Sequence, residues 1–124
     1  MTIKAGDKMP DATLMHMSDA GPSPISTADL FGGKTVALFA LPGAFTPTCS
    51  NQHLLGFIEK SEELRSAGVD TIICLSVNDA FVMGAWGEQQ GAGGKVMMVG
   101  DGNGELTEKL GLTMDGSGFG MGTR

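Results

Sequence analysis

The sequence predicts an α/β domain with parallel strands, and three stretches carry the prediction. Residues 35–41 (TVALFAL) and 69–77 (VDTIICLSV) are apolar, β-branched-rich runs of strand length. Such runs suit strands covered on both faces of a parallel sheet. Between them Leu54, Phe57, Ile58 and Leu64 recur at helical spacing, with Glu59, Lys60, Glu62 and Glu63 interleaved. Strand, helix and strand over about forty residues make a right-handed crossover unit with parallel strands.

The remaining elements follow in order. Residues 1–30 mix polar positions with Pro10, Pro22 and Pro24 and read as an irregular arm with short strands. Within it, Leu14 and Met15 fit a small hairpin before a turn at Gly21 and Pro22. Ser26 or Thr27 can cap a short helix over residues 28–31, which Gly32 and Gly33 end. Gly68 closes the long helix as its C-cap. Asn78 or Asp79 can cap a further helix through Phe81, Val82, Ala85 and Trp86, ended by the glycines of residues 91–94. A third strand is expected over residues 95–99, a turn over 101–104 and a short helix over 105–110. From Gly111 the pattern is lost in a glycine-rich tail, with no closing strand or helix, so the single domain over residues 1–124 is expected to be incomplete at its C-terminus.

Bulk properties narrow the function classes. The chain has 124 residues, enough for one domain, and is 41% apolar and 18% charged. A net charge of −6, with no run of lysines or arginines, argues against nucleic acid as a partner. No apolar segment reaches membrane-spanning length and no secretory signal opens the chain, so a cytoplasmic setting is expected. Two cysteines, Cys49 and Cys74, are too few for a disulfide framework and lie too far apart for a C-x-x-C pair. With only His16 and His53 beside them, no structural zinc site is expected.

The chemically informative segment is PGAFTPTCS, residues 42–50, at the junction of the first buried strand and the helix. Thr46 suits the N-cap and Pro47 the first helical position. This puts Cys49 in the first turn, where unpaired N–H groups and the helix dipole favour an anion. A thiol with an ordinary pKa of about 8.5 is there pushed toward the reactive thiolate. Its sulfur could attack one oxygen of a peroxide, leaving cysteine sulfenic acid. The Thr46 hydroxyl and first-turn amides would meet the leaving charge. The bland reading of Cys49, a small apolar residue on a helix, competes with this for any lone cysteine.

Pro42-x-x-x-Thr46-x-x-Cys49 resembles the P-x-x-x-T-x-x-C signature of the peroxiredoxins. The wider string, with His53, Gly56 and Phe57, is similar to the type II class of that family. CLSVNDAFVMGAW (74–86), GKVMMVGDGNGELT (94–107) and LGLTMDGSGFGMGTR (110–124) extend the likeness over nearly the whole chain. The resemblance implies a thioredoxin-like three-layer fold and reduction of hydrogen peroxide and alkyl hydroperoxides. It implies glutaredoxin with glutathione, or thioredoxin, as electron donor, a homodimer, and no metal or organic cofactor. By matching positions Cys49 is the peroxidatic cysteine, Thr46 a hydrogen-bond donor to peroxide and thiolate, and Pro42 a shield for the sulfur. The family's catalytic arginine is expected just past Arg124, which corresponds to a neighbouring position. Leu55 stands where many relatives carry proline, a change that favours the helix.

Other residues read more plainly. Cys74 is expected to be a buried strand thiol, with a resolving partner of Cys49 as the alternative. His53, four residues after Cys49, is expected to pack near the rim of the site or at an interface, and His16 to lie on the surface. Phe45, Phe81 and Trp86 are assigned to core or interface, and the nine methionines to core filling. The glycines before Lys95 fail the phosphate-loop pattern and residues 101–105 fail the calcium-loop pattern. A truncated, non-catalytic or weakly active form, associating through the edge of the strand at 35–41, is the rival to a working peroxidase. A disulfide reductase lacks C-x-x-C, and a cysteine hydrolase lacks a well-placed histidine base.

Overall fold

A computed structural model describes residues 2–46 and 49–124, with backbone alone at 49–51. Its centre is β4, Thr71–Ser76, whose apolar run is buried because both faces are covered. Ile72 and Cys74 point into one core, while Ile73 and Leu75 point into the other. The first core is closed by Leu54, Ile58, Met83 and Trp86, the second by Leu30, Leu106 and Leu110. Alternation across the pleat thus puts a layer of helices on each side of one sheet.

That sheet has five strands: β1 (Thr13–Ser18), β2 (Gly21–Ser26), β3 (Val36–Leu41), β4 and β5 (Met97–Gly100). Their order is β2-β1-β5-β4-β3, with β3, β4 and β5 parallel and the β1–β2 hairpin antiparallel. The parallel pair β3 and β4 is the one the sequence predicts. Among the described residues β3 pairs with β4 alone, and Ala40 is exposed, so β3 is less covered than expected.

The N-terminal arm is more regular than its composition suggests. Its tight turn lies at Asp19 and Ala20, just before the expected one, because the Ser18 hydroxyl accepts the Ala20 N–H and donates to Gly21. Pro22 and Pro24 sit two apart on the outermost strand, where their missing N–H groups are turned away from β1.

Ser26, not Thr27, caps α1 (Thr27–Phe31) by accepting the Asp29 N–H, while Thr27 is spent binding Pro10 and Ala12. The expected long helix is three pieces: a π-helical stretch over Cys49–Leu54, α2 (Leu55–Glu59) and α3 (Ser61–Ser66). Lys60, at φ −96° and ψ 6°, marks the bend between the last two, although hydrogen bonds still run through it. Gly68, with φ +108°, ends α3 as predicted, and the Val69 N–H reaches back to Leu64 in a Schellman closure. Gly91 closes α4 (Ala80–Gln90) and Gly111 closes α5 (Glu105–Leu110) in the same way. β5 begins later than expected because Lys95 and Val96 still turn back onto the Ala92 carbonyl.

The glycine-rich tail is also structured. Met114 and Arg124 exchange backbone hydrogen bonds, Gly116 donates to Gly122, and Ser117–Phe119 forms a short 3-10 turn between them. The Ser117 hydroxyl and N–H hold the Asp115 carboxyl below its ordinary range, so this small contribution is present at neutral pH and fades as acid protonates Asp115.

One close approach has a testable consequence. A methyl group on Gly100 would lie well inside contact distance of the Asn78 carbonyl oxygen, a backbone atom that cannot swing away. Gly100→Ala is expected to cost about 2–3 kcal/mol through overpacking, read as a lowered denaturant midpoint.

Candidate active site

After the carboxyl end of β3 the chain bends at Pro42, and the Cys49–Leu54 helical segment follows in sequence. Leu41 and Gly43 are buried and Pro42 is exposed between them. The Thr46 hydroxyl donates to the Gly43 carbonyl at 2.9 Å, so its proton is directed into the turn. Phe45 takes φ +66°, a left-handed conformation that costs a non-glycine residue about 1–2 kcal/mol. Its ring is 47% exposed and lies 6.1 Å from the buried Trp86 ring.

Cys49 is the first residue of the π-helical stretch, where the sequence predicts an ordinary α-helical turn. Such wide turns recur at functional positions. Pro47 and Thr48, including the predicted first helical position, lie outside the described residues. His53, half-buried, packs against Phe39 at 4.9 Å and Phe57 at 5.8 Å, and those two phenyl rings stack at 4.0 Å. The expectation that His53 serves packing near the site agrees with these contacts.

Cys74 is 0% exposed, opposite Phe39 in the β3–β4 register and packed with Leu54, Met83 and Trp86. It is a buried strand thiol, as expected. Pro42 and Arg124 lie on the same cavity of about 220 Å³, with Leu41, Ser76, Val77 and Met114. The Arg124 guanidinium donates to the Val77 carbonyl and, at 3.1 Å, to that of Met121. Among the described residues no group of three histidine, cysteine or acidic side chains is placed to hold a metal, and no helix is long and apolar enough to cross a membrane.

The turn after β4 divides its labour between two neighbouring side chains. Asn78 and Asp79 both read as helix caps. Asp79 takes that role by accepting the Val82 N–H at 2.8 Å. The Asn78 side chain points elsewhere: its Oδ1 accepts the Ala44 N–H at 3.0 Å and the Ser76 hydroxyl at 2.6 Å. Nothing local in the sequence signals this, because the partner lies 34 residues away.

Comparison with known proteins places this geometry. A family model described as Redoxin matches residues 4–124. Peroxiredoxin-2E, chloroplastic, of Arabidopsis thaliana is 51% identical over 116 residues, covering 92% of this chain and 50% of that protein. Peroxiredoxin-2B of the same plant is 50% identical over 123 residues, covering 98% of this chain and 76% of that protein. The crystal structure of reduced Prx3 in complex with H2O2 from Vibrio vulnificus superposes with a TM-score of 0.94 at 48% identity, over 98% of this chain and 76% of that one. The chain spans only about half the length of the chloroplastic relatives it matches. Helices on both faces of a mixed sheet are the thioredoxin-like arrangement of these structures. On the family model and these relatives together, the chain belongs to the redoxin family, within the type II peroxiredoxins.

Proposed function

We propose that this chain is a thiol peroxidase in which Cys49 reduces hydrogen peroxide and alkyl hydroperoxides. The observation that carries the reading is the position of Cys49: it is the first residue of the helical segment that follows β3 in sequence, in a chain half identical to peroxiredoxins. Leading helical amides lack intrahelical acceptors and favour an anion, so the thiolate is stabilised there. The thiolate attacks the near oxygen of the peroxide along the O–O axis. An S–O bond forms, the O–O bond breaks, sulfur loses two electrons, and the far oxygen leaves as hydroxide or alkoxide and is protonated. Thr46 would donate to the reacting oxygens after its hydroxyl turns from Gly43, and Pro42 would limit water at the sulfur. The relative solved with hydrogen peroxide supports this substrate class.

An external thiol resets the enzyme. It attacks the sulfenic acid to release water and form a mixed disulfide, and a second thiol then frees Cys49. Glutaredoxin with glutathione, or thioredoxin, supplies those thiols. The burial of Cys74 supports an external donor over an internal resolving disulfide, which would require β4 or the helix to open. A homodimer is proposed through exposed aromatic side chains, with Phe45 47% and Phe81 64% exposed. A reducing compartment such as the cytoplasm suits two cysteines and no disulfide framework.

Peroxide-dependent oxidation of NADPH, coupled through glutathione and glutaredoxin or through thioredoxin and its reductase, tests the activity. Turnover is expected with at least one donor system. No turnover with either, and no stoichiometric loss of peroxide, would contradict it. Phe81→Glu is expected to shift the light-scattering mass toward the monomer, and an unchanged mass would remove that face from the dimer.

A further inference from the structure

We propose that Asn78 is a positioning residue for the peroxide site, fixing the loop that carries Thr46 and leads to Cys49. The proposal rests on the reading of Cys49 as the peroxide-reactive thiol.

The turn after β4 is held from several sides. The Asp101 N–H donates to the Ser76 carbonyl at 2.8 Å, and the Arg124 guanidinium donates to the Val77 carbonyl. Asp79 is committed to capping α4, and Gly100 fits beneath the Asn78 carbonyl with no room for a methyl group. From this fixed base the Asn78 side chain reaches the loop after β3. Its oxygen assignment follows from the partners, because the Ala44 N–H can only donate and so faces an acceptor. The Ser76 hydroxyl, itself nearly fully buried, points its proton at the same oxygen and orients the amide.

The loop needs such an anchor. Phe45 is held in a left-handed conformation that relaxes unless its surroundings over-determine it. Among the described residues, Thr46 bonds within the loop, to Gly43, and the Phe45 ring offers an undirected contact with Trp86. Among the described residues, Ala44 to Asn78 is the one hydrogen bond tying residues 42–46 to another element. Releasing it frees the segment that sets where Thr46 and Cys49 meet a peroxide. A displacement of about 1 Å at a reacting centre can cost about a hundredfold in rate.

The test compares two reactions of one thiolate. Peroxide oxidation demands alignment of sulfur, O–O axis and donors, whereas alkylation by iodoacetamide demands mainly a formed, accessible thiolate. Both rates are measured against pH up to their plateaus for wild type, Asn78→Ala and Asn78→Asp, with thermal melts alongside. Asn78→Ala is expected to lower the plateau peroxide rate by about 10- to 100-fold while the alkylation plateau changes by less than about threefold. Asn78→Asp keeps an acceptor oxygen for Ala44 and Ser76 and is expected to retain the peroxide plateau within several-fold. A plateau peroxide rate for Asn78→Ala within about twofold of wild type would overturn the proposal. Should Asn78→Ala fail to melt cooperatively, Asn78→Asp decides: near-wild-type rate supports the anchor, and loss beyond tenfold with a normal melt overturns it. A wild-type chain that reacts with iodoacetamide but not with peroxide would refute the peroxidase reading itself, and the proposal with it.

Discussion

Cys49→Ser is expected to abolish peroxide consumption, lowering the second-order rate by about a thousandfold or more. A serine hydroxyl stays protonated near neutral pH and cannot be oxidised to an equivalent of sulfenic acid, so neither attack nor turnover survives. Cys74→Ala makes the matching control. That thiol lies wholly inside the core formed with Phe39, Leu54, Met83 and Trp86. Its loss is expected to reduce stability by about 1 kcal/mol while leaving the rate of peroxide consumption within about twofold. Stopped-flow rates for both variants separate the two cysteines. Loss of rate in Cys74→Ala with a wild-type rate in Cys49→Ser would reverse the assignment.

Asp101→Ala is expected to produce the largest loss of stability among polar substitutions in the described fold. Gly104, at the N-cap of α5, has no side chain to cap the helix, and the buried carboxylate of Asp101 does this from three residues earlier. It accepts the Leu106 N–H at 3.3 Å, the Thr107 N–H at 2.8 Å and the Thr107 hydroxyl at 2.7 Å. Truncation strands these donors in a buried setting, and α5 carries Leu106 and Leu110 of one core. About 3 kcal/mol is expected to be lost, lowering the midpoint by about 10 °C. Asp101→Asn keeps one acceptor oxygen and should lose roughly half as much. Differential scanning calorimetry of the two variants checks this order, and equal midpoints for Asp101→Ala and wild type would contradict it.

What could be read from the sequence follows from how far each signal reaches. The apolar runs of β3 and β4 and the glycine closures at Gly68 and Gly91 are local, and the structure has these elements where expected, although β3 is less covered than β4. Asp79 as a cap was one of two neighbouring candidates, and only the fold divides the work between it and Asn78. The bend at Lys60 and the π-helical turn at Cys49 are announced by no residue pattern in the sequence. The fold-back of Met114 onto Arg124 pairs few residues among glycines, so it offers no alternation of apolar positions to detect. Within the candidate site, the Pro42, Thr46 and Cys49 spacing was legible because it is contiguous. The Ala44–Asn78 tie was not, because it joins two loops through a side chain.

The most direct measurement is trapping of the oxidised sulfur. One equivalent of hydrogen peroxide is added to the reduced chain in the presence of a dimedone reagent, and the modified peptide is located by mass spectrometry. The adduct is expected on Cys49, formed within the mixing time and absent from Cys74. An adduct confined to Cys74, or an unmodified Cys49 with peroxide left in solution, would contradict it.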